Sequence, residues 1–304
     1  MVVAHVDRAR RSPSSWFGAV VSGTPRLVGA VPPTAQVLVG IVSVQVGAAL
    51  AKQLFAVTGS SGVVTLRLFF AAAVLLLIWR PSLRVAKQDL PVIIGYGVVL
   101  AAMNLLFYLS LARIPLGIAV TVEFLGPLSV ALLGSRRWLD ALWALLAAAG
   151  VAMLAQTLGG ADVIGLLLAL AAGACWAAYI LLSARLGSQS DDGKGLALAM
   201  ACAGLIAAPV GIVDAGTALL SPTVLLAGLG VALMSSVIPY SLELEALRSI
   251  PPRVFGVLMS LEPAVAAAAG LVVLHEALTP NQWVAICCVV AASAGAIRTA
   301  RPDV

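Results

Sequence analysis

Val163 to Leu182 and Ala141 to Gln156 are apolar on every side, with no charge and no period-two alternation. A strand of a membrane barrel alternates lumen-facing and lipid-facing residues, so these runs exclude a β-barrel and leave the α-helix as the spanning structure. Composition removes the soluble alternative. Hydrophobic residues make up 62% of the chain and charged residues 10%, against roughly 45–50% and 25% in soluble domains. That leaves too little polar surface to coat a fold in water. The fold class expected is an all-α integral membrane protein.

A bilayer crossing takes about 20 apolar residues, and on that ruler the chain holds roughly ten. They run from about Gln36 to Phe55, Gly62 to Trp79, Pro91 to Leu111, Leu116 to Gly134 and Leu139 to Leu158. The second half follows with Val163 to Leu186, Gly195 to Val213, Thr223 to Leu247, Val254 to Leu274 and Pro280 to Ile297. The net charge of +5 is no nucleic-acid signal here, because basic residues of a membrane protein chiefly report orientation. With the N-terminus inside, Arg80, Arg84, Lys87, Arg136, Arg137, Arg185, Lys194, Arg248, Arg253, Arg298 and Arg301 all fall on the inner side, and Arg113 is nearly alone outside. Both termini are therefore expected in the cytoplasm. Residues 1–35, with Arg8, Arg10 and Arg11, read as a basic, disordered tail whose apolar patch Trp16 to Val21 is too short for a signal-peptide core.

A shift of 136 residues lays the second half on the first. Pro115 meets Pro251, Pro127 meets Pro263, Gly134 meets Gly270, Asp140 meets Glu276 and Asn104 meets Tyr240. The predicted domains are a first five-helix repeat over 36–158 and a second over 163–299. An odd number of spans sends the second repeat through the membrane the other way up. Inverted repeats of this kind build secondary transporters, with the binding site near the midplane between the halves. Glu123 and Glu262 lie deep in the fourth and ninth spans. A charge there costs about 2.5–3.5 kcal/mol on translocon scales, which marks it as functional by default. In the repeat frame Glu262 falls opposite Gly126, three residues from Glu123, and residues three apart share a helix face. The two carboxylates are expected to face one cavity.

The motifs Pro115-Leu-Gly-Ile-Ala-Val to Glu123-Phe-Leu-Gly-Pro127, Gly173-Ala-Cys-Trp176-Ala-Ala-Tyr179, Pro239-Tyr240-Ser-Leu-Glu243, Leu258-Met-Ser-Leu-Glu262-Pro263 and Ser43-Val-Gln45 to Lys52 resemble those of the drug/metabolite transporter superfamily with paired EamA domains. Within it they are similar to the inner-membrane threonine and homoserine exporters. The resemblance covers about Gln36 to Ile297. It implies a ten-helix carrier in the bacterial cytoplasmic membrane that exports small neutral amino acids with the proton-motive force. Substrate, protons and lipid are the implied partners, with a homodimer allowed and no cofactor.

For such a substrate one glutamate could accept the ammonium while the other, desolvated, carries the coupling proton. Pro127 and Pro263 lack an N–H and so release carbonyls on the preceding turns. Lys52 and Arg67 flank an expected outer turn, Gly59 to Gly62. They could bind the substrate carboxylate or close an outer gate against an acid, or else snorkel to the interface. Asn104, Tyr108 and Tyr240 could supply hydrogen bonds, with Gln45 and Trp176 at similar positions on the first and sixth helices. Glu243 and Glu245 read better as interface partners of Arg248, although Glu243, one turn from Tyr240, could face the cavity.

Other readings are weaker. A cation-drug exporter of the same fold would favour an aromatic cavity, and aromatics are only 6%. A membrane-embedded enzyme would need a polar cluster at one interface, whereas the histidines are only His5 and His275 and Asp191-Asp192 has no second acidic motif. His275-Glu276 has no further ligands for a metal. Cys175, Cys202, Cys287 and Cys288 all sit in apolar runs, as small buried residues.

Overall fold

The computed structural model describes residues 31–80, 90–133, 138–157, 162–187, 194–247 and 249–299. All but the last few residues of the predicted tail lie outside these, as do Asp191, Asp192 and Arg248. The described chain is helical, with no strand. Its helices are α1 (Pro33–Gln53), α2 (Phe55–Trp79), α3 (Leu90–Leu111), α4 (Leu116–Glu123), α5 (Leu125–Leu133), α6 (Trp138–Thr157), α7 (Asp162–Gly187), α8 (Lys194–Ala215), α9 (Pro222–Ala232), α10 (Ile238–Leu247), α11 (Pro252–Met259), α12 (Glu262–Leu274) and α13 (Pro280–Thr299). Among the described residues, eight helical stretches are long and apolar enough to cross a bilayer. With the shorter apolar stretches Leu116–Leu132 and Pro222–Val237 they are consistent with a fold of about ten crossings. The protein is a multi-pass membrane protein. Leu205, Val213, Leu226 and Val272 stand exposed on its outside, an arrangement that lipid accepts and water would penalise at about 25 cal/mol per Å².

Two crossings are broken in the same way. Pro115 caps α4 at φ −58°, ψ 145°, and Pro251 caps α11 at φ −59°, ψ 142°. Each helix runs eight residues and ends one residue before its C-cap, Phe124 or Ser260, which keeps the 136-residue shift. The packing follows the same exchange. Counterparts α2 and α8 pack together, as do α6 and α13, while α3 lies on α7 as α10 lies on α1.

The expected outer turn opens where the sequence placed it. Gly59, at φ 66° and ψ 168°, breaks the helical backbone inside the stretch Phe55–Trp79, beside Asp214 near the end of α8. Leu54, where α1 ends, keeps right-handed helical angles, so the helical path breaks at Gly59 and resumes after it. Thr58, Ser60 and Ser61 are buried, and the Thr58 hydroxyl donates to the Leu54 carbonyl at 3.3 Å. Arg67 lies eight residues beyond Gly59, about 12 Å along the helix at 1.5 Å per residue, which brings it to the level of the central cavity.

Candidate functional site

A cavity of about 370 Å³ lies between the two repeats. Glu123, the last residue of α4, and Glu262, the first of α12, both line it and are 8% and 5% exposed. The helix breaks put them there. Pro127 cannot donate to the Glu123 carbonyl, nor Pro263 to that of Met259, so both helices interrupt their ladders beside the acids. The first break is held by backbone contact with α7. A Cβ on Gly126 would collide with the Gly173 carbonyl, and one on Gly173 would come 2.5 Å from the Glu123 carbonyl oxygen. Only glycine at both positions allows this approach.

Glu243, on α10, also lines the cavity. Its placement differs from the interface pairing that the sequence favoured; Glu245, two residues on, is exposed. Arg67 supplies the opposite sign. Its Nη1 donates to the Tyr108 hydroxyl at 3.0 Å and its Nη2 to the Ser235 carbonyl at 3.2 Å, with the guanidinium carbon 5.5 Å from the Tyr108 ring centre. Tyr108 is fully buried behind Arg67 and does not line the cavity. The expectation that it would reach the substrate gives way to a role in holding Arg67.

Gln45 and Asn104 line the cavity and are 3% and 5% exposed. Asn104 donates through Nδ2 to the Leu100 carbonyl at 2.9 Å. Trp176 forms part of the wall and meets Phe124 edge to face at 5.7 Å, next to the first break. Tyr240 belongs to α10, and its side chain lies outside the described residues.

Lys52 does not reach the cavity. Its Nζ lies 2.6 Å from Glu276 Oε1 and 2.8 Å from the Ile114 carbonyl. The other oxygen of Glu276 accepts the Leu116 N–H at 2.7 Å. Leu116 opens α4, so Glu276 caps that helix, where the N–H groups have no intrahelical partner and the dipole favours an anion. One carboxylate thus ties the end of α1 to the start of α4. The cavity lining stops at Ala48, one turn short of Lys52. Towards the Arg80 end of the bundle it continues to Phe255 and Ile297, within three residues of the ends of α11 and α13.

Two elements of the site were not found by motif reading. Ser235 sits in a π-helical segment, Leu233–Val237, and lines the cavity. Pro239, four residues later, cannot donate to the Ser235 carbonyl, which Arg67 takes instead. The same proline reasoning applied at Pro127 would have found it. Glu276 was read as the repeat counterpart of Asp140 and discounted as a metal ligand, and nothing in its own surroundings signals a lysine 224 residues away.

A helical membrane protein of two exchanging halves, with buried acids at paired helix breaks around a central cavity, is a transporter by architecture. Residues 163–298 match the EamA-like transporter family. The chain is 45% identical over 275 residues to the threonine/homoserine exporter RhtA of Escherichia coli K12, covering 89% of this chain and 93% of that one. It is 44% identical, at the same coverage, to the protein of that name in Salmonella typhimurium LT2. A crystal structure that is 20% identical shares the fold at a TM-score of 0.58, covering 86% of this chain and 96% of that chain. The chain belongs to the EamA-like transporter family.

Proposed function

We propose that this protein exports small neutral amino acids of the threonine and homoserine kind across the bacterial cytoplasmic membrane by proton-coupled alternating access. The observation that carries the reading is one buried cavity bearing both signs of charge, Glu123 and Glu262 with Arg67. A zwitterion needs both, since a buried charge is tolerated only when paired. Its carboxylate would meet Arg67, and its ammonium one glutamate. The second glutamate would carry the proton. The Arg80 end is assigned to the cytoplasm, because the sequence that directly follows α2 and α5 carries Arg84, Lys87, Arg136 and Arg137. The cavity then faces inward, with Lys52 and Glu276 holding its outer end shut. The relatives named as threonine/homoserine exporters support the substrate class.

The test is counterflow of labelled threonine in proteoliposomes under imposed pH gradients. Wild-type protein should show saturable uptake that responds to the gradient. Glu123→Gln should reach the membrane at normal levels and lose transport. Retained wild-type transport in that variant would sink the assignment of Glu123.

A further inference from the structure

Two buried polar atoms beside the cavity have no hydrogen-bond partner among the described residues, the Gln45 amide oxygen and the Ser235 hydroxyl. Both residues line the cavity and both are 3% exposed. An unpaired polar group at such burial costs roughly 1–3 kcal/mol, so most buried groups find a partner. The two atoms differ in what they can accept or give. The Ser235 hydroxyl lies against Gly47 of α1, where a Cβ would collide with it, so it belongs to the contact between α1 and the π segment. Gln45, on α1, is the other case. An amide oxygen only accepts, so its partner must bring a proton.

A zwitterionic amino acid offers two kinds of donor, the ammonium and any side-chain hydroxyl. Ionised pairs are about twice as strong as neutral ones, and the cavity holds carboxylates for the ammonium. The neutral acceptor remains for a neutral donor. Threonine and homoserine, named for the relatives, share a hydroxyl on chains that differ by one carbon in reach. A flexible glutamine can follow such a difference where a short rigid acceptor could not.

We infer that Gln45 reads the substrate's side-chain hydroxyl and selects hydroxyl-bearing amino acids over apolar ones of equal size. The inference rests on the amino-acid export reading above. A pocket that merely fits by shape separates such analogues about 10–200-fold, while one that hydrogen-bonds the hydroxyl rejects the analogue lacking it far more strongly. Gln45 therefore acts on specificity and leaves the charged contacts alone.

The experiment is competition in the counterflow assay. Threonine is set against valine, which puts a methyl in place of the hydroxyl, and homoserine against 2-aminobutyrate, which lacks it. Wild-type protein should prefer each hydroxyl compound. Gln45→Leu should reduce both preferences roughly tenfold to a hundredfold, the loss expected for one buried hydrogen bond, while valine and 2-aminobutyrate transport persists or rises. Gln45→Asn, which withdraws the acceptor by one methylene, should favour homoserine over threonine. It also serves if the leucine variant fails to fold. Preferences unchanged in Gln45→Leu, or a homoserine-to-threonine ratio unchanged in Gln45→Asn, would overturn the assignment. So would an equal fall for threonine and valine in Gln45→Leu, which would place the amide on the ammonium they share. Wild-type protein that moves no amino acid would overturn the export reading and this subsite together. Wild-type transport with an unaltered Gln45→Leu preference would overturn the subsite alone.

Discussion

Arg67 is held from two sides, by a phenol on α3 and a proline-released carbonyl on the π segment. A guanidinium can serve both and still present its edge to a ligand, whereas an ammonium on a flexible stem cannot copy that fork. Arg67→Lys should therefore raise the apparent KM for threonine about tenfold to a hundredfold, in keeping with hydrogen bonds to charged groups worth about 1.5–3 kcal/mol. Tyr108→Phe removes a single anchor and should raise it less. Initial-rate uptake over a range of substrate concentrations measures both, and an unchanged KM in Arg67→Lys would separate Arg67 from the substrate. The contrast between Asn104 and Tyr108 shows how far residue spacing can be read. Four residues on one helix do share a face, yet only Asn104 lines the cavity. Arg67, from another helix, stands in front of Tyr108, and spacing along α3 carries no record of it.

At the scale of elements, the breaks were the most legible part of the structure. Pro115, Pro127, Pro251 and Pro263 announce them in the sequence, and the observed caps keep the spacing of the repeat. Gly59 was legible too, since a break with positive φ between two apolar runs is a place where glycine is tolerated without strain. The π segment escaped, because its close neighbour lies on α1. A Cβ on Gly47 would collide with the Ser235 hydroxyl. The closest element contact yields a prediction. Gly126→Ala drives a methyl into the Gly173 carbonyl, and forced overpacking costs typically 1–3 kcal/mol. Thermal unfolding of the detergent-purified protein should shift downward. Gly95→Ala, which meets nothing within 4 Å, should leave the midpoint unchanged. Equal midpoints for the two variants would remove the contact from the account of stability.

For the whole molecule, the proposed cycle requires Lys52 and Glu276 to separate whenever the cavity opens outward. Cysteines at both positions, placed in a background freed of Cys175, Cys202, Cys287 and Cys288, should be joined by a short bifunctional thiol reagent with a reducible linkage. Side chains that meet at their tips leave the Cα atoms too far apart for a direct disulfide. Transport should stop, and a reductant should restore it. Uptake that continues after complete cross-linking would show that this end need not open. The number of crossings was visible from apolar length, and the correspondence of the halves from the 136-residue shift. The ion pair was not, because it joins positions far apart in the chain that the sequence pattern treats separately.

The helix α4 is eight residues long, a rod of about 12 Å. Its first N–H is gripped by Glu276, and its last residue is Glu123. Releasing the grip uncaps one tip of this rod, and whatever occupies Glu123 acts on the other. In the proposed cycle, the Lys52–Glu276 pair and the cavity then need no relay of side chains across the bundle. One short helix joins the two, and the glycine contact with α7 holds its cavity end.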